Sequence, residues 1–407
     1  MRSPLLALLT IPSTLAVTLS TTGCSFFRRL AGADTVSLEK AEVKSMAVDL
    51  RREDKTICPR EPVQMAVFAE VVLDGEKETK KLETWAGRGD VNKNDKLDFA
   101  EFAFHSEQGT FDRDGWFAPD TNLLATVGKE FAIKSVYRRR PDKFTFTTTY
   151  KPDYSCIKGA GASGAAGAPG NAGSEGPAGK VGAEGSTASP GASGGDGSSG
   201  TPGTSGGDGL SGPHLTAFAT IVKTPFYDRL VAIRVLGAVD DFLLVPEGRS
   251  VVLRARGGEG GHGGTGGRGG HGGAGGRGNP GGNGGRGGRG ASGGNGGSGG
   301  PGGTIEFVYD ARFAAIADQV RLDVSGGGGG LGGSGGQGGA AGRGGDGMTP
   351  PSSEGATPPA APKGADGSEG AAGASGTAGR RGSPGSATAR PGDVRSRFRD
   401  LPEVTVL

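Results

Sequence analysis

The residues most densely spaced for chemistry lie between Asp90 and Glu101. Asp90, Asn92, Asn94, Asp98 and Glu101 fall at loop positions 1, 3, 5, 9 and 12, a spacing that can surround a hard cation such as Ca²⁺ with oxygen ligands. Asp95 stands where the sharp turn of such a loop calls for glycine, and Gly87, Gly89, His105, Ser106 and Gly109 interrupt the flanking helices it would use. A calcium loop and a polar turn entering a strand at Leu97–Phe104 both stay open, and the flanks favour the turn; no other cofactor is implied. A second group is periodic: Arg268, Arg277, Arg286 and Arg289, with His262 and His271, recur inside a glycine tract. On a straight extended chain the two imidazoles would be roughly 28 Å apart, too far to share one metal, so they read as solvent-facing contacts for a polymer or glycan. The four histidines (His105, His214, His262, His271) fall in no spacing that pairs a base with a nucleophile, so no enzyme is expected. The Gly-Gly-Arg runs lack the interleaved aromatics that stack on bases, and a net charge of +2 gives no bulk attraction to a polyanion, so nucleic acid is not expected as a partner.

The acidic spacing resembles an EF-hand loop, which implies, as an alternative to a structural role, a calcium-responsive binding module. The first residues carry a different signature. Arg2 supplies a positive start, Leu5 to Leu19 an apolar stretch, and Thr21-Thr22-Gly23 small residues before Cys24. This resembles a bacterial lipoprotein precursor, with residues 1–23 as signal peptide, 24–33 as anchor linker and Cys24 as the lipidated residue. The resemblance implies export, anchoring in the membrane through acyl chains, and, with Ser25 next in line, the outer membrane. If Cys24 is acylated, Cys58 and Cys156 remain, in an oxidising compartment, as a disulfide or as two free thiols. A disulfide would close a loop of roughly a hundred residues and contribute about 4 kcal/mol in the chain-entropy model.

These groups need elements to hold them. Residues 34–157 alternate with period two: Val63, Met65, Val67, Ala69, Val71 and Leu73 share one face, as do Phe131, Ile133, Ser135 and Tyr137, and again Phe144, Phe146, Thr148 and Tyr150. Short alternating strands separated by turns such as Asp74-Gly75 and Asp114-Gly115 predict a β-sandwich. Gly109 to Pro119 is similar to a strand-turn-strand of bacterial immunoglobulin-like domains, which implies that type of sandwich.

Beyond residue 158 glycine recurs at every third place. From Gly161 to Gly212 the rule is Gly-X-Y, broken at Ala188; from Gly257 to Thr304 it is Gly-Gly-X, interrupted at Asn279 and Ala291. Gly-Gly-X returns in 326–347, and a Pro/Gly-rich linker at 348–389 carries Gly-X-Y from Gly364 to Gly385. Gly-X-Y resembles collagen, where only glycine fits the axis of three extended chains, and implies a spacer at 158–213 that is either a homotrimeric stalk or a flexible linker. Gly-Gly-X resembles the polyglycine II bundles of phage tail-tip adhesins and snow flea antifreeze proteins. That implies two bare backbone faces per chain and one outward row of X residues; a disordered glycine tract is the alternative. Strand-like sequence borders these blocks: a β-rich segment at 214–256, and strand-helix-strand at 305–325 with the helix in Ala311 to Gln319. Residues 390–407 read as a basic, mobile tail. The whole predicts a mainly β, non-enzymatic surface lipoprotein with a structural or adhesive task, whose X face meets an envelope polymer, a glycan or another cell.

Overall fold

The computed structural model describes residues 35–50, 55–84, 96–352, 358–401 and 403–407. The lipobox with Cys24, and Asp90, Asn92 and Asn94, lie outside the described residues. The fold is mainly β and divides into two compact units. Residues 122–128, expected with the first, belong to the second, because Leu123 and Val127 are buried in that unit's core. Cys58 and Cys156 are disulfide-bonded.

In the first unit one sheet has the order Thr35–Val36, Lys96–Leu97, Thr79–Glu83, Val63–Val72, Trp116–Pro119, Gly109–Phe111, with Glu42–Leu50 also pairing to Val63–Val72. A second sheet has the order Thr56–Ile57, Thr145–Pro152, Phe131–Tyr137, Phe102–His105. The period-two faces meet between them: Val67, Leu82, Phe102 and Tyr137 share one buried cluster, and Met65, Phe117, Ile133 and Tyr150 another.

In the second unit a three-stranded parallel sheet (Gly159–Ser163, Val251–Arg256, Val320–Asp323) and a larger sheet (Asp241–Pro246, Leu230–Gly237, His214–Lys223, Thr304–Asp310, Ser386–Gly392) contribute to one apolar core, which includes Leu253, Leu215, Ile233 and Phe307. The C-terminal stretch, expected to be mobile, is part of this core: Val394 and Phe398 are buried, and Thr405–Val406 pairs with His214–Lys223. Within 311–319 only Ile316–Gln319 is α-helical.

Six period-three glycine segments continue from these strands among the described residues. We number them I (164–185), II (190–212), III (257–278), IV (281–303), V (326–347) and VI (361–385). Segments I, III and V follow the strands of the smaller sheet, and II, IV and VI lead into His214–Lys223, Thr304–Asp310 and Ser386–Gly392. Each triplet has a first, a second and an outward residue. The first N–H donates to an outward carbonyl two segments further along: Gly167 to Glu259, Gly194 to Asn283, Gly260 to Gly328 and Gly284 to Ala365, all 2.8 Å. The second N–H donates to the preceding segment: Ala192 to Ala183, Gly261 to Gly207, Gly285 to Gly273, Gly330 to Gly297 and Gly364 to Gly345, at 2.8–2.9 Å. Every segment is therefore bonded to those one and two places away, with I, III and V parallel and II, IV and VI running the other way.

This pattern accounts for both glycine dialects. A Cβ at a first position would overlap a carbonyl of the next segment, as Gly164 would with Leu210 and Gly329 with Gly379. A Cβ at a second position would overlap the segment two back, as Gly261 would with Ala168 and Gly364 with Gly282. Segments I and II have nothing two back, so their second places hold residues such as Lys180, Thr201 and Leu210. Segment VI has nothing after it, so its first places hold Lys363, Asp366, Glu369 and Arg381. Segments III, IV and V are approached on both sides and carry both glycines throughout, apart from Ala291 and Ala341. The Gly-X-Y stretches, expected as spacer and linker, are thus the outer members of one hydrogen-bonded set, and their first-place or second-place donors find acceptors within the same chain.

Ala291 occupies a second place in segment IV, and the bonds that flank it, Gly200 to Arg289 and Gly203 to Ser292, are 3.0 Å against 2.8 Å for Gly197 to Arg286 and Gly206 to Asn295. Gly264→Ala is expected to destabilise by about 1–3 kcal/mol, the usual penalty of overpacking. Ser199→Ala, at an exposed outward place, is expected to stay within about 0.5 kcal/mol of the parent. Thermal and urea unfolding of the two variants checks the pair of outcomes.

Candidate functional site: the outward rows

The outward residues follow from the register of the strands. Thr304 pairs with His214 in the sheet, and the same separation of 90 residues sets Asp196 against the N–H of Arg286 (2.7 Å) and Asp208 against that of Ser298 (2.6 Å). Val251 pairs with Val320 in the smaller sheet. At the matching separation of 69 residues, Glu259 accepts from Gly328 N–H (2.7 Å), His262 Nδ1 from Leu331 N–H (3.0 Å) and His271 Nδ1 from Ala340 N–H (3.3 Å). Asn283 and Asn295 do the same for Ala365 and Thr377, both at 2.9 Å and 82 residues apart. The outward N–H is the one donor of a Gly-Gly-X triplet without a backbone partner, and at these places an acidic, amide or imidazole side chain two segments away accepts from it. Since Nδ1 accepts, the ring proton of His262 and His271 belongs on Nε2.

The six residues expected as a contact surface are therefore split. His262, Arg268, His271 and Arg277 lie along segment III, in the I–III–V row; Arg286 and Arg289 lie along segment IV, in the II–IV–VI row. All six are exposed, and none of the four arginines has an ion pair among the described residues. The II–IV–VI row is dominated by short side chains, including Ser193, Ser199, Ser205, Ser292, Asn295 and Thr377. Sequence reasoning missed Asp196, Asp208, Asn283 and Asn295. Their type marked them as acceptors, but only the register shows what they accept from.

At the two sides of the set, side chains cover donors that have no further segment to meet. Thr204 and Thr201 Oγ1 accept from Asn171 and Ser174 N–H, each at 2.7 Å, and Asp366 accepts from Gly344 N–H at 2.7 Å.

The described members of the acidic loop serve local structure. Asp98 accepts from Ala100 N–H (2.9 Å) and caps the 3₁₀ turn Phe99–Glu101. Glu101 accepts from Ser37 Oγ (2.8 Å) and Leu38 N–H (3.2 Å) and lies 3.4 Å from Arg139. Among the described residues no group of three His, Cys, Asp or Glu side chains is placed to hold a metal, and no helix is long and apolar enough to cross a membrane.

One carboxylate of the second unit is strongly perturbed. Asp310 is 2 % exposed, and burial alone would raise its pKa. Hydrogen bonds from Arg312 Nη2 (2.7 Å), Nε (3.0 Å) and N–H (3.0 Å) and from Thr220 Oγ1 (2.8 Å) outweigh this and hold it at about 2.

No protein-family model matches the chain, and no curated protein does. One solved structure, described as the nine polyproline type II helical bundle springtail antifreeze protein from Granisotoma rainieri, is 25% identical over 51% of this chain and 94% of that chain. Its TM-score is 0.10, a value at which the match carries no argument about fold or function.

Asp310 has a lower pKa folded than unfolded, so its ionised form stabilises the fold fully above about pH 4, and the contribution is lost as pH falls towards 2. Asp310→Asn is expected to cost about 2 kcal/mol at neutral pH, with the gap to the parent closing near pH 2; urea titrations at both pH values measure it.

Proposed function

We propose that the six glycine segments form a polyglycine II-type bundle, and that the chain is a non-enzymatic, exported lipoprotein, acylated at Cys24, whose outward rows contact an envelope polymer, a glycan or another cell. The observation that carries this reading is the regular alternation of inward glycine donors and outward side chains. It gives two rigid rows with residues recurring about every 9 Å, from three residues at about 3.1 Å each. The amide bonds that an extended glycine chain would otherwise offer to water are used between segments, so the rows are held without a conventional apolar core. The two sheets of the first unit, with apolar faces turned to shared clusters, favour an immunoglobulin-like sandwich there. A homotrimer becomes the weaker reading of the Gly-X-Y stretches, because the donors that a triple helix would pair between chains already have acceptors within this one.

Such a surface has fixed spacing and little side-chain freedom, which suits a partner that is itself repetitive. Two outward variants test the reading in the full chain: Arg268→Ser with Arg277→Ser on segment III, and Ser292→Lys with Ser298→Lys on segment IV. Sedimentation with peptidoglycan sacculi and with isolated envelope polysaccharide is the readout. At least one variant is expected to lose binding about tenfold while keeping the parent melting temperature. If both variants sediment with every preparation as the parent does, the outward rows are not the contact surface.

A further inference from the structure

The two flanks of the glycine set are complementary to each other. At the flank formed by segments V and VI, the first-place N–H groups of Gly329, Gly332, Gly335 and Gly338 have no acceptor among the described residues, and second-place carbonyls of segment VI such as Gly373 and Gly376 accept no N–H there. At the flank formed by segments I and II the reverse holds. Outward carbonyls such as Ala172 and Ser199 accept no N–H among the described residues, and the second-place N–H of Lys180 has no acceptor. These are the groups that a seventh and an eighth segment would use under the rule that joins I to III, II to IV and each segment to the one before it. A second copy, with its segments I and II beside V and VI, would supply both. Two like flanks do not match, because donors then meet donors and acceptors meet acceptors. The contact the pattern allows is therefore head-to-tail, and repeated without closure it runs on as an open ribbon.

Side chains stand at the places where that contact calls for glycine. Every first place of segment VI from Lys363 to Pro384 and every second place of segment I from Ala165 to Ala183 carries a Cβ, and in segment II only Gly195 and Gly207 do not. Within the set a Cβ at either kind of place would overlap a carbonyl oxygen, as Gly329 would with Gly379 and Gly258 with Ala165. Lys180, Leu210, Glu369 and Arg381 are also exposed, so the contact would take three charges out of water. Sheets guard their open edges against their own kind in the same way.

We propose that the two flanks are halves of one interface between copies of this chain, held shut by these side chains, so that each molecule stays single and its outward rows stay accessible. The proposal rests on the segments being bonded as one set and not on what the outward rows contact.

Two variants of the full chain test it, one with glycine at all first places of segment VI, the other with glycine at all second places of segments I and II. Each keeps one guarded flank, so each alone is expected to sediment as a monomer; mixed, they are expected to pair one to one and double the mass. Serine at the same places keeps a Cβ, and the serine pair is expected to stay monomeric on mixing. Amide exchange of the parent covers the case in which the glycine variants fold poorly. Gly329, Gly332, Gly335 and Gly338 are expected to exchange at least about tenfold faster than Gly260, Gly263, Gly266 and Gly269, whose N–H groups donate to segment V. A folded glycine pair that stays monomeric, a serine pair that associates as readily, or flank amides as protected as the inner ones in the monomeric parent overturns the proposal alone. Fast exchange at both groups overturns the bonded set with it.

Discussion

The glycine segments of the second unit depend on one steric condition: at the spacing that lets extended segments exchange N–H···O bonds, a Cβ that points at a further segment has no room. Nearly all the regularity follows from it. Leu210 donates to Ala165 at 2.8 Å although it carries a side chain, because no segment lies where its Cβ points, whereas each of the inner segments is approached on two sides. Between the glycine segments hydrogen bonding does the positioning that apolar side chains do in the unit's core, because there are almost no side chains there to pack. Single amide hydrogen bonds contribute little net stability, about 1 kcal/mol each, but an unpartnered buried donor costs more than that, so each inner N–H keeps its acceptor in place.

Register is the second requirement, and the glycine segments do not set it themselves. A run of identical triplets could slide by three residues and keep its bonds. The sheets remove that freedom. Val251–Arg256 against Val320–Asp323, and His214–Lys223 against Thr304–Asp310, carry side chains that fit one alignment in a shared apolar core, and the segments leave those strands with that alignment already chosen. The outward acceptors then reinforce it: Asp196, Glu259 and Asn283 each reach one particular N–H.

How much was legible in the sequence follows from the same physics. The period-two strands Val63–Val72 and Phe131–Tyr137 were readable because their faces alternate against a core, and the strands at the mouths of the glycine blocks were readable for the same reason. The cysteine pair was readable by arithmetic. The Gly-X-Y stretches were not assigned to the same set as Gly-Gly-X, because a period states which residues lack side chains and says nothing of how many neighbours require it. Lys180 and Glu369 resemble solvent-facing linker residues, and they are solvent-facing, but as the outermost members of a bonded array. The C-terminal stretch was misread because Val394 and Phe398 are too sparse to show a pattern, although each is buried. The acceptors Asp196 and Asn295 depend on partners 90 and 82 residues away, separations that no local motif contains.

The side chains that close the two flanks have a bearing on how such a chain could have arisen. Thr201 and Thr204 on one flank, and Asp366 on the other, mark a beginning and an end, while segments III, IV and V follow one rule apart from Ala291 and Ala341. An inner segment meets only neighbours one and two places away, so duplicating an adjacent inner pair with its turn would give newcomers the environment their parents had. The flanks would be untouched. Width is then a heritable variable that unequal recombination could adjust in steps of two segments, provided matching strands are copied with them, while length is bounded by how many triplets each segment carries.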